Sequence, residues 1–149
     1  MTKQEYQTIR DIAWLILINS KTSSLPIDIN KIETLYKLPK PINKNQSRYN
    51  QCLEVSNEIL KLYGMDNNLS YHLAVRIMAP AIVLREIKVA SAKELSIITD
   101  VPMDIAERRF SRLQELLKRD KFETSNMESI VLSQFKGWIK NHNAQNNQP

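Results

Sequence analysis

The segment SRYNQCLEVSNEILKLYG, residues 47–64, has apolar residues at helical spacing and closes on Gly64, a natural left-handed cap. It therefore reads as one helix with an apolar side turned inward. Leu53 and Asn57 lie one turn apart on it, with Glu54 between them. Two histidines at such positions would share a face and could grip one zinc ion at ~2.0–2.1 Å. The glutamate would then polarise a metal-bound water. Leucine offers no lone pair, and an asparagine amide is a poor zinc ligand beside imidazole. Without a metal, Glu54 has no water of lowered pKa to deprotonate and reads as an exposed helix glutamate. No catalytic residue, metal ligand or cofactor is expected.

The rest of the composition agrees with a helical domain. A chain of 149 residues is long enough to remove roughly 70% of its unfolded surface from water without staples. Only two glycines argue against an all-β fold with many tight turns and against a Gly-rich phosphate loop. The single cysteine, Cys52, forms no intrachain disulfide, which fits a reducing cytoplasm. The longest apolar run, IAWLILI at 12–18, is far short of the ~20 residues that cross a bilayer. It also lacks the flanks of a signal peptide. Net charge is +5, and much of the excess sits between Lys31 and Arg48, where Lys37, Lys40 and Lys44 face only Glu33. Such a balance permits nucleic-acid contact without demanding it; its plainer reading is a solvated basic linker.

Periodicity and punctuation predict an all-α fold, a compact bundle of about seven helices. Thr2 and Glu5 form a capping box before a central helix carrying Ile9, Ile12, Ala13, Ile16 and Leu17, widened by Trp14 and Leu15. A short helix over 28–37 precedes LPKPINKNQS at 38–47, a linker in which two prolines forbid regular helix. After the segment at 47–64, MDNN is a loop with Asn67 or Asn68 as the next cap. Pro80 either kinks the helix over 69–87 or starts a new one. Ser91 and Glu94 form a second capping box. A long helix over 103–119 turns Ala106, Phe110, Leu113 and Leu117 inward. Ser125 and Glu128 cap the last helix, which packs Met127, Ile130, Val131, Phe135 and Trp138. A single domain over 1–142 with a disordered polar tail at 143–149 follows.

Three stretches carry a family likeness. LAVRIMAPAIVL (73–84) followed by KELSIITDVPMDIAERRFSRLQEL (93–116), the C-terminal RDKFETSNMESIVLSQFKGWI (119–139), and the N-terminal RDIAWLILINSKTSSLPIDINKI (10–32) resemble the ImmA/IrrE family of zinc metallopeptidases in order and spacing. The resemblance places Leu53 and Asn57 where family members have the two zinc histidines, and Glu54 at the catalytic glutamate. The third ligand, an acid, would fall near Asn67. Family members also place several strands before the metal helix, where this chain has only residues 38–47. The resemblance thus implies a degenerate, truncated member without metal or strand-pairing substrate cradle. Active relatives on mobile elements such as phages cut helix-turn-helix repressors. A copy that lacks zinc is expected to bind such a regulatory protein in the cytoplasm without cutting it, as an antirepressor-like pseudopeptidase acting on transcription. Leu53, Asn57 and Leu60, on the altered face, are the candidate protein contact.

Residues 92–119 also fit a helix-turn-helix pattern, with Leu95, Val101, Ala106 and Phe110 packing the pair. In the alternative reading the chain is a small DNA-binding regulator, and Arg108, Arg109 and Arg112 face the DNA. Asp104, Glu107 and Glu115 share that helix and oppose phosphate approach; Asp100 stands at the usual turn glycine. His72 reads as a half-buried or surface histidine, His142 lies near the tail, and nothing in the spacing favours a Cys52–His72 nucleophilic pair.

Overall fold

The computed structural model describes residues 1–119 and 125–146, and every regular element among them is helical. The chain runs through α1 (Lys3–Asn19), α2 (Ile29–Tyr36), α3 (Arg48–Leu62), a 3-10 turn (Asn67–Leu69), α4 (Ser70–Met78), α5 (Ala81–Glu86), α6 (Ala92–Thr99), α7 (Met103–Lys118) and α8 (Asn126–Asn146). No helix among the described residues is long and apolar enough to cross a membrane.

Local chemistry explains most boundaries. The Thr2 side chain accepts from Glu5 N, and Glu5 reaches back to Thr2 N, so both ends of the capping box form. Ser47 caps α3, Ser91 caps α6, and Ser125 accepts from Glu128 N at the head of α8. Each bond satisfies a backbone donor that has no partner within its helix. Gly64, at φ +67°, ends α3 as expected of a residue without a Cβ. The loop at 65–68 is capped by Asp66 rather than by Asn67 or Asn68, because its carboxylate accepts from Asn68 N at 2.9 Å. Pro80 breaks the chain instead of kinking it. Ala79 leaves helical geometry (φ −129°, ψ 68°), α5 begins at Ala81, and this division makes eight α-helices among the described residues.

α1 is the hub. It packs against both α4 and α8, while α3 lies on α4, α2 on α3, α5 on α8 and α6 on α7. Ile9, Ile12, Ala13, Ile16 and Leu17 are all buried, as the spacing predicts, and Trp14 joins them. Phe135 of α8 and Leu73, Ile77 and Met78 of α4 close around that stripe. Leu15, Leu117 and Ile130 were expected inside but are exposed. In α7 Ala106 and Leu113 are buried as expected, and Ile105 joins them.

The linker at 38–47 is irregular, yet it is tied down. Ile42 is buried, and Glu33 of α2 both accepts from Ile42 N at 3.2 Å and pairs with Lys44. The polar stretch expected to be disordered from 143 is helical as far as Asn146. There Asn143 Nδ2 donates to Glu86 O at 3.3 Å, and His142 stacks on Trp138. Residues 147–149 and 120–124, the latter inside the C-terminal family-like stretch, lie outside the described residues.

Candidate functional site

The face of α3 that would hold a metal is occupied by packing. Leu53 is partly buried against the core, and Asn57 Oδ1 accepts from Ser70 Oγ at 3.5 Å, tying α3 to the start of α4. Glu54 is exposed and accepts from Gln46 Nε2 at 2.9 Å. Asn67 is exposed at the 3-10 turn. A leucine, an amide and a hydrogen-bonded glutamate do not form a zinc donor set, so the residues present do not fit the ion that the family likeness implies. Among the described residues no three His, Cys, Asp or Glu side chains are grouped to hold a metal. One of the expected contact residues is corrected: Leu60 has 0% exposure and belongs to the core. It sits three residues from Asn57 on the inward side of α3, so it cannot form a surface with it.

Cys52 is likewise interior. Its Sγ lies 3.9 Å from Ala74 O, and burial pushes the thiol up to about 12. A thiol that stays protonated at neutral pH is a poor nucleophile. His72, half-buried on α4, is held below its ordinary value by burial first and by Arg76 second.

The helix-turn-helix pair is real in its backbone. Leu95, Val101 and Ala106 are buried between α6 and α7, and Phe110 packs beside them. Asp100 occupies the turn in the left-handed region (φ 59°, ψ 39°), and its carboxylate accepts from Arg48 Nε at 3.1 Å. Arg48 also donates to Ile27 O at 2.6 Å, so one side chain ties the turn to α3 and to the segment before α2.

The arginines of α7 divide in direction. Arg108 is exposed. Arg109, proposed as a DNA contact, instead turns inward and donates to Ala79 O through Nε at 3.0 Å and Nη2 at 2.8 Å. The reason lies in the break at Pro80: Val83 N bonds to Pro80 O, and the guanidinium supplies donors to the carbonyl left behind. Burial lowers Arg109 to about 10, which leaves it a cation at neutral pH. Arg112 is also engaged, with Nη1 3.1 Å from Glu115 Oε2, and the nearby Tyr6 phenol first and Glu115 after it hold its pKa above the ordinary value. The outward surface at the start of α7 thus presents Met103, Asp104, Glu107 and Arg108, with Ile97 of α6 70% exposed.

The grouping of Tyr6, Arg76, Arg109 and Arg112 across α1, α4 and α7 was not found in sequence. The arginine-rich run at 108–112 was the available signal, but nothing local to it names Tyr6 or Arg76. Against this geometry, no family model, no curated protein and no solved structure matches the chain.

Proposed function

We propose that this protein is a non-catalytic binding module of regulatory type, resembling a degenerate ImmA/IrrE-type peptidase, that holds a helix-turn-helix repressor without cutting it. The observation that carries this reading is the state of the α3 face. Leu53 packs inward and Asn57 is bonded to Ser70, so the two positions of the metal pattern serve the fold. The burial of Leu60 moves the contact away from that face. The α6–α7 surface suits it better, because exposed Ile97 and Met103 lie on the same helix pair as Asp104 and Glu107. An apolar and acidic surface complements the basic DNA-reading helix of a repressor.

The test is co-purification with a repressor encoded beside this chain's own coding sequence. A stable complex with an intact repressor is expected, weakened at least tenfold by Ile97→Lys combined with Glu107→Lys. Absence of any complex, or chelator-sensitive hydrolysis of the repressor, would sink the proposal. The alternative, direct DNA reading, keeps only Arg108 of its three arginines free of an intramolecular hydrogen bond or ion pair among the described residues, with Asp104 and Glu107 nearby.

A further inference from the structure

Three arginines meet at one tyrosine. Arg76 of α4 lies over the Tyr6 ring with Cζ 4.8 Å from its centroid. Arg112 of α7 lines the same cleft wall as Tyr6, whose phenol helps hold the guanidinium above its ordinary value. Arg109 completes the group, near enough to both that their charges lower its own pKa after burial does. These residues, with Arg108 and His72, wall an open cleft of about 250 Å³. No acid lines it among the described residues. Arg112 has a carboxylate partner in Glu115, but Arg76, Arg108 and Arg109 form no ion pair among the described residues. Among the described residues Arg76 donates to His72 O, at 2.9 Å, and Arg109 to Ala79 O. A carbonyl accepts a hydrogen bond but does not neutralise a charge.

A second recess of about 90 Å³ shares Tyr6, Arg76 and Arg109 and is lined also by Arg10, Trp14 and Glu128. Trp14 is 7% exposed and its indole N–H has no partner among the described residues. A buried donor without an acceptor is uncommon in a folded protein. It stands on the same arginine wall as the open cleft.

We infer that the cleft between α1, α4 and α7 is a binding site for a small phosphate-bearing molecule, held by the guanidinium groups of Arg76, Arg109 and Arg112. Packing like charges together with incomplete pairing is unfavourable, and a bound dianion reverses the sign of that term. Guanidinium forks match phosphate oxygens in pairs, which a lysine cluster would not do. At roughly 30 Å³ per water the cleft has room for about eight waters, enough for a phosphate and a short organic tail. It falls below the ~300 Å³ typical of larger ligand sites. Arg109 gives Nε and Nη2 to Ala79 O, so its charge and its Nη1 are what it offers a small anion inside the cleft, where the rigid backbone of a duplex cannot follow.

The test is a thermal melt of the whole chain in inorganic phosphate and in phenyl phosphate, each against sodium chloride at matched ionic strength. A midpoint that climbs with the logarithm of phosphate concentration is expected. Arg112→Gln, at a part-exposed position, should weaken phosphate affinity about tenfold, and Arg112→Lys should restore part of it. Arg76→Gln combined with Arg112→Gln should abolish the shift while circular dichroism reports the folded state. Should the double variant fail to fold, the single Arg112 pair decides. Phosphate and chloride giving equal midpoints would overturn the site, as would unchanged affinity in Arg112→Gln. Equal stabilisation by acetate, or binding of duplex DNA but not of phenyl phosphate, would overturn the ligand class. Loss of phosphate binding leaves the repressor complex to its own pull-down, so the two proposals fail separately.

Discussion

Arg109 shows how one side chain can be claimed by the backbone. Its two bonds to Ala79 O satisfy an acceptor exposed by the break at Pro80. Arg109→Met keeps most of the packing but removes both donors. An unsatisfied part-buried carbonyl should cost about 1–3 kcal/mol, which urea unfolding would measure; unchanged stability would mean the carbonyl finds water. Cys52 makes a different prediction, in pH. Its folded pKa is raised by burial from 9.0 to about 12. The folded state therefore keeps a proton that the unfolded chain releases. The corresponding stability is fully present below pH 9 and is lost as pH rises from there toward 12, at up to about 1.4 kcal/mol per pH unit. Tyr36, raised to about 12 by burial, adds a parallel loss that begins near pH 10. Cys52→Ala should flatten the fall between pH 9 and 10, seen in melts across that range; an equally steep fall would assign it to other groups.

At the scale of elements, the α6–α7 corner is the most informative joint. Its turn requires a left-handed residue, and Asp100 supplies one without glycine's freedom. The Arg48 bond is a surface pair, with Asp100's side chain 60% exposed, so it contributes little by itself. Asp100→Gly relaxes the backbone while losing that pair, and should change stability by less than about 0.5 kcal/mol. Asp100→Val puts a β-branched side chain in the left-handed region and should cost about 1–2 kcal/mol. Chemical denaturation of the two variants separates these outcomes; equal effects would show that the corner tolerates another geometry. The same joint explains why a helix-turn-helix backbone need not imply DNA reading. Its second helix opens with Met103, Asp104 and Glu107 outward, while Arg109 and Arg112 are drawn toward α4 and α1.

For the whole molecule, a formal charge of +5 predicts only non-specific attraction to DNA. Fluorescence anisotropy with two unrelated duplexes should give equal, weak affinities at 50 mM salt that vanish by about 200 mM. Preference for one duplex at the higher salt would restore the DNA-reading alternative. The all-α architecture, the capping box at Thr2, the caps at Ser91 and Ser125 and the buried stripe of α1 were legible because helical period and caps are local properties, written within a few residues. That Leu53 and Asn57 do not grip a zinc ion was legible for a simpler reason: no arrangement in space gives a leucine a lone pair. The surroundings of α7 and the burial of Leu60 on α3 were not legible. Period identifies a face, but what lies opposite depends on helices that arrive from distant parts of the chain. Only packing put Leu60 in the core, turned Arg109 to the carbonyl at the Pro80 break, left Leu117 in solvent and gathered Arg76 and Arg112 around Tyr6.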